Sequence, residues 1–337
     1  MNITFLIGNG FDLNIGMKTS YRDFYQYYIN SSKKETHPLI QSLKDSLVAD
    51  IDNWADFELQ FGDYCNCFQT YEDFEVVFDD VSFKLANYIE SEQNRYNFDI
   101  DIDNKVFLYK DFASPELYLS NADKKALEGY KSKWNNYSEW KIDVISFNFS
   151  TSLDSLLAQS NKKERISIRG VERPVVFNGI KHIHGYTTEN MVLGVNDPSQ
   201  INNDYLKSNP YFLNALVKPE CNKAMKHLID QDCKDVLNYS NLICLFGLSI
   251  GDTDKIWWEI IGKCLFNNNT SLIIFSRGDE IPAIRRYKMK MKEDSIKDIF
   301  LSKTNLTSEQ KEYVSANIYV GYNTQIFDIK LAEKSVV

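Results

Sequence analysis

Ile3-Thr4-Phe5-Leu6-Ile7 runs straight into Gly8-Asn9-Gly10-Phe11-Asp12. A run this short and apolar, closed by glycine, predicts a strand buried on both faces, as the strands of parallel sheets are. Two later segments repeat the form: Leu242-Ile243-Cys244-Leu245-Phe246 ends at Gly247, and Ser271-Leu272-Ile273-Ile274-Phe275 is the third. Asp143 to Phe147, Arg165 to Arg169, Val175 to Phe177, Ile180 to His184 and the short Ile318 to Val320 supply further strands. Helices fall between them, most clearly where Ile256, Trp257, Ile260, Ile261, Cys264 and Leu265 recur at helical spacing. Strands alternating with helices predict an α/β protein with a doubly wound, mostly parallel sheet.

The pattern between the first and second strands is different. Ser20-Tyr21-Arg22-Asp23 has the form of a capping box, with an acid three residues after the cap. Tyr21, Phe24, Tyr25 and Tyr28 then recur at helical spacing, as do Trp54, Phe57, Phe61, Cys65 and Phe68, and Phe74, Phe78, Val81, Leu85 and Tyr88. Residues 20–140 are therefore expected to form a helical insertion, and 1–19 with 141–330 the core. Asp99 to Asn104 alternates aspartates like the start of a calcium loop, but its sixth position is Asn104 and its twelfth Lys110. It reads as an exposed acidic loop.

With 47 acidic and 38 basic residues among 337, the net charge is −9. Such a chain lacks the broad positive footprint of a phosphate-backbone binder, so direct nucleic acid binding is not expected. The one dense basic cluster, Arg285, Arg286, Lys288, Lys290 and Lys292, reads as a solvated helix face. The six cysteines have no zinc-finger spacing. No apolar stretch approaches the ~20 residues that span a bilayer, and no secretory signal opens the chain. The expectation is reduced thiols, a cytoplasmic location and no membrane partner.

In open α/β sheets, ligands bind beyond the carboxyl ends of the strands. After the first strand, Gly8 and Gly10 suit either a tight turn or close backbone approach to a pyrophosphate. The third glycine of the dinucleotide fingerprint is replaced by Leu13. After the second, Asn148 in Ser146-Phe147-Asn148-Phe149-Ser150 can orient a ribose or a water, or Asn148 or Ser150 can cap the next helix. His182 and His184, in His182-Ile183-His184-Gly185, share one strand face. They suit a catalytic histidine with a supporting one, a structural pair, or a two-histidine metal site that lacks a nearby third ligand. In Gly247-Leu248-Ser249-Ile250-Gly251-Asp252-Thr253-Asp254, Ser249 can donate to a phosphate and an acid can accept from a ribose, while Asp252 or Thr253 caps the helix that follows. Tyr322-Asn323-Thr324 closes the last strand.

Taken in order, these motifs resemble the AbiH family of phage abortive-infection proteins. The resemblance lies in Leu6-Ile7-Gly8-Asn9-Gly10-Phe11-Asp12-Leu13-Asn14, in Lys18-Thr19-Ser20-Tyr21 with Phe24, in Trp54 with Asp56 to Glu58, and in the segments Ser146–Ser150, His182–Gly185 and Gly247–Asp254. More distantly, the order is similar to sirtuin-like, Rossmann-like NAD-binding proteins. That similarity implies Gly8 and Gly10 at the pyrophosphate and Ser249 and Asn323 near ribose and adenine, with Asn9, Phe11, Asp12, Gly247 and Asp254 also expected among the cofactor-binding residues. It implies Asn148 and His184 as the catalytic pair. The four zinc cysteines of many sirtuin deacetylases are missing, so no metal is expected and NAD hydrolysis is favoured over deacetylation. On this reading NAD is the substrate, Asn148 orients ribose or water, His184 is the general base, and Asp12 and Glu58 can add negative charge. A phage or host protein is the expected trigger, and a homo-oligomer is compatible. The alternative is a non-catalytic NAD or ADP-ribose sensor acting through a protein partner.

Overall fold

The structure is a computed structural model that describes residues 1–31, 37–134, 139–158, 163–168 and 171–334. Its centre is a seven-stranded sheet made of β1 (Asn2–Ile7), β2 (Trp140–Ser146), β3 (Lys163–Ile168), β4 (Val171–His182), β5 (Leu242–Phe246), β6 (Ser271–Ser276) and β7 (Ile318–Tyr322). The spatial order is β3-β4-β2-β1-β5-β6-β7. Every neighbouring pair is parallel except the edge hairpin of β3 and β4. The separate short strands expected from 175 to 184 are thus one long strand. Arg169 lies outside the described residues.

Period-two alternation gives β1 two buried faces. Ile3, Phe5 and Ile7 pack into one cluster and Leu6 into another, which is why the run is apolar throughout. Helices α1 (Gly10–Asn14), α2 (Tyr21–Asn30), α3 (Pro38–Ala49), α4 (Phe57–Tyr64), α5 (Tyr71–Asn94), α6 (Ile102–Ala113) and α7 (Asn121–Lys131) lie between β1 and β2. Later come α8 (Ser152–Leu157), α9 (Pro210–Leu216), α10 (Lys218–Ala224), α11 (Ile229–Asn238), α12 (Lys255–Asn267), α13 (Tyr287–Ser302) and α14 (Ser308–Ser315). Helices α6 and α7 cover one sheet face through Leu108, Phe112 and Leu127. Helices α11 to α14 cover the other through Leu237, Trp258, Ile261, Phe300 and Val314.

Helices α2 to α5 form a third core, rich in rings, that also takes in Leu193, Val195 and Leu206 and the α9 residues Phe212 and Leu216 from the chain after β4. Phe74 meets Phe212 edge-on at 4.6 Å. The helical layer is therefore built from two separate stretches of chain. Ser20 caps α2 by accepting from the Asp23 amide, as its capping sequence predicts. The Asp99–Asn104 segment is not a simple acidic loop. Asp101 accepts from the Asn104 amide and starts α6.

Candidate functional site

Strand order reverses between β1 and β5, and the loops that leave these two strands meet there. A Cβ on Gly10 would stand 2.4 Å from the Gly247 Cα, and one on Gly8 2.5 Å from a Leu248 methyl. Gly247 itself has φ +68°, a region that favours glycine. The loops also bond to each other, because the Gly8 amide donates to the Phe246 carbonyl at 2.9 Å and the Gly10 amide to the Gly247 carbonyl at 2.8 Å. What these glycines approach closely is thus another strand's loop, and both amides are already bonded.

A cavity of about 970 Å³ opens at this end of the sheet, at the upper end of the roughly 300–1,000 Å³ usual for ligand pockets. Sheet loops form its floor, and Tyr21, Trp54, Asp56 and Glu58 from the helical layer reach over it. Of the residues expected to bind or react, Gly8, Asn9, Gly10, Asp12, Asn148, His184, Gly247, Ser249 and Asp254 line it. Phe11 points into the apolar core instead, against Phe246 and Phe327. Asn323 has its side-chain oxygen and nitrogen on the backbone of Gly278, at 2.9 and 3.0 Å, so it braces a loop beside the cavity. Asn9 is tied to Thr19 by two bonds, to its carbonyl and its hydroxyl.

Parallel pairing of β2 and β4 sets Ser146 opposite His182. Two residues further along each strand come Asn148 and His184, which the register therefore brings to the same wall. The side-chain oxygen of Asn148 is buried and has no hydrogen-bond partner among the described residues. His184 is 4% exposed, lies edge-on to Phe147 at 5.3 Å, and places Nε2 3.3 Å from Asp254 Oδ1. Burial, then the nearby Lys218 ammonium, lower its pKa below the ordinary histidine value against the pull of Asp254. His182 does not support it. Its Nε2 faces Asp154 at 3.0 Å, away from the cavity.

Asp254 belongs to a buried group that no single motif displays. Lys218 Nζ donates to Glu58 Oε2 at 2.8 Å, Asp254 Oδ1 at 3.0 Å and the Thr253 carbonyl at 3.3 Å. Those three bonds satisfy the ammonium. Burial works against the Asp254 carboxylate, but Lys218 and then His184 hold its pKa well below the usual range. Glu58 moves the other way, because burial outweighs the pull of Lys218 and Asp254 repels it. Neither Asp252 nor Thr253 caps α12 as expected. Asp254 holds the cap position before the helix but makes no side-chain cap bond, and Asp252 pairs with Lys303 at 2.8 Å. The loop is held by Trp258, whose Nε1 donates to the Gly251 carbonyl at 2.8 Å.

On the floor, Asp12 is 1% exposed and accepts from the hydroxyls of Ser150, at 2.6 Å, and Ser152. Burial raises its pKa to about 6 although both hydroxyls, and then Asn148, act to lower it. Ser150 is thus engaged with Asp12 and caps nothing, and Asn148 does not cap α8 either, since Thr151 holds the position before that helix. Two lining or supporting cations escaped the sequence reading. Arg277 lines the cavity directly after β6, the same position relative to a strand that exposes the other site residues. Lys218 stands in Val217-Lys218-Pro219-Glu220, where nothing local marks it.

Among proteins of curated function, none matches the chain. Residues 4–276 match the family described as bacteriophage abortive infection AbiH. That match covers most of the chain, the loops after β1, β2, β4 and β5, and Lys218, and it ends at the last residue of β6. The protein belongs to the AbiH family of bacteriophage abortive-infection proteins.

Proposed function

We propose that this abortive-infection protein is an intracellular effector that hydrolyses NAD+ to nicotinamide and ADP-ribose in the cavity at the strand ends. The observation that carries the reading is the placing of Asn148 and His184 on one wall, one with a buried oxygen that has no partner among the described residues and the other backed by a carboxylate. The parallel strands run in the order 3-2-1-4-5-6 when the antiparallel edge strand is set aside, the order of Rossmann-like dinucleotide-binding sheets, and the cavity sits where the order reverses.

In the reaction, the bond between the nicotinamide nitrogen and ribose C1′ breaks. Its electron pair neutralises the pyridinium, so nicotinamide leaves without needing a proton. A water oxygen bonds to C1′ and its proton passes to His184, which burial keeps neutral and able to accept it. Asp254 holds the imidazole and stabilises the imidazolium as it forms. The Asn148 oxygen accepts from a ribose hydroxyl or from the water. Asp56 adds negative charge overhead, beside a centre that becomes cationic, while the Glu58 carboxyl is tied to Lys218.

The test is nicotinamide release from NAD+ by the purified chain beside Asn148→Ala and His184→Ala. Release by the parent, reduced about 100-fold or more in each variant, is expected. Undiminished release by both variants would remove them from the reaction. NAD+ binding without release, repeated in lysate from phage-infected cells that can supply a trigger, would make the site a sensor instead.

A further inference from the structure

Arg277 leaves the end of β6 and lines the cavity. Its guanidinium donates to the side-chain oxygen of Asn14. Asn14 is 1% exposed, and its own amide nitrogen is fixed on the Phe327 carbonyl. The other cations around the cavity are already paired, Arg22 with Asp52 and Lys218 with Glu58 and Asp254. Among the described residues the side-chain partner of Arg277 is a neutral amide, and no carboxylate pairs with it. This leaves a positioned guanidinium with donors to spare.

The rest of the cavity is short of positive charge. Asp12, Asp56, Glu58 and Asp254 all line it. The amides of Gly8 and Gly10, expected to cradle a pyrophosphate, are bonded to the last residue of β5 and to the first residue of the loop after it. Neutral donors such as the Ser249 hydroxyl line the cavity, but a phosphate entering it meets an unpaired positive charge only at Arg277 among the described residues. Strands in a sheet lie about 4.8 Å apart. Asn148 leaves β2 and Arg277 leaves β6, three strands away, so ~14 Å of sheet separates their strand ends. A nucleoside does not reach that far, and a dinucleotide does.

We infer that Arg277 binds a phosphate group of the dinucleotide, at the end of the cavity away from the reacting bond. The inference rests on the proposed NAD+ reading for the rest of the ligand. The phosphate is either the bridging pyrophosphate or a further monophosphate on the adenosine ribose, as in NADP+. A planar guanidinium suits either, because it can donate two parallel hydrogen bonds to phosphate oxygens. The cavity is then polarised, with the acids beside the cationic nicotinamide and Arg277 at the anionic end.

Calorimetric titration of the full chain tests this with ADP-ribose, its 2′-phosphate, nicotinamide riboside and inorganic pyrophosphate. The variants are Arg277→Ala, Arg277→Lys and, as a paired cation beside the cavity, Arg22→Ala. Arg277 is exposed but bonded to the buried Asn14, so thermal unfolding of each variant is followed beside binding, and a folded transition in Arg277→Ala shows that lost binding is not lost fold. Arg277→Ala is expected to weaken ADP-ribose about tenfold or more and nicotinamide riboside less than about twofold. Arg277→Lys should recover part of the loss. Equal losses for ADP-ribose and its 2′-phosphate would put the pyrophosphate on Arg277, and a larger loss for the 2′-phosphate would put the extra phosphate there. Unchanged binding of every phosphate ligand in Arg277→Ala, or an equal loss for nicotinamide riboside or in Arg22→Ala, overturns the inference while leaving the NAD+ reading intact. Pyrophosphate binding that depends on Arg277 in a chain that binds no nucleotide sustains the anion site and removes the NAD+ reading. A parent chain that binds neither pyrophosphate nor any nucleotide overturns both.

Discussion

His184 and Asp12 are both buried beside the same cavity, and burial drives their protons in opposite directions. For His184 the charged form is the protonated one, so burial lowers its pKa. The neutral base then persists below the pH at which an ordinary histidine becomes charged. If it accepts the proton in the reaction, the acid limb of the kcat/KM profile should fall below pH 6.5, the ordinary histidine value. A limb at or above that value would mean that another group controls the rate. For Asp12 the charged form is the deprotonated one, and burial raises its pKa from 3.8 to about 6. The folded chain therefore holds this proton more tightly than the unfolded chain does. The stability so gained is complete below about pH 4 and is lost as the pH rises through 6. The shift corresponds to about 3 kcal/mol. Asp12→Asn keeps the neutral shape without the titration. It should unfold at higher urea than the parent at pH 8, by up to about 3 kcal/mol, with the gap narrowing steadily toward pH 4. A gap that stays constant across that range would show that the carboxylate is not the titrating group.

At the scale of elements, the site is held by one ammonium shared among three pieces of chain. Lys218 opens α10, Glu58 lies in the first turn of α4, and Asp254 precedes α12. Replacing Lys218 with Met leaves the buried Glu58 and the partly buried Asp254 without their shared cation, and the loss of a buried ion-pair partner costs about 3–5 kcal/mol. It also removes a charge that lowers the His184 pKa, so any acid limb set by His184 should move to higher pH. Adding Glu58→Gln to Lys218→Met should restore part of the stability, because one stranded charge is gone. Urea unfolding of the two variants and the double variant measures this. Losses in Lys218→Met and Glu58→Gln that simply add in the double variant would mean that Glu58 and Lys218 are not energetically coupled. The same group marks where the sequence stops being informative. Strand ends such as Phe246-Gly247 announce themselves by an apolar run closed by glycine, and the Ser20 cap by a hydroxyl three residues before an acid. Lys218 sits 160 residues from Glu58 in sequence, and no local pattern records a contact that only the folded layers create. The purpose of Gly8 and Gly10 was half legible. That the backbone there must come close to something follows from the residues, but that the something is Gly247 follows only from the β1–β5 pairing.

For the whole molecule, the cavity lies between two separately built cores, the sheet with its flanking helices and the ring-rich helical layer. The run of helical periodicity after β1 reveals that layer, yet not its second contributor. Leu193, Val195, Phe212 and Leu216 are scattered through loops and a short helix after β4, where they make no repeating stripe to read. Two cores of this kind need not open together, because local stability varies between cooperative units. A ligand that touches both should couple them. Hydrogen exchange followed with and without ADP-ribose makes this visible. The amides of 54–58 in the helical layer and those of 147–150 and 247–254 on the sheet side should slow together as ligand is added, since a ligand stabilises only the states that bind it. Protection confined to the sheet loops would mean that the ligand rests on the floor alone. The helical layer would then be free to answer a partner without the ligand, and the acids it carries over the cavity would have no part in the chemistry below.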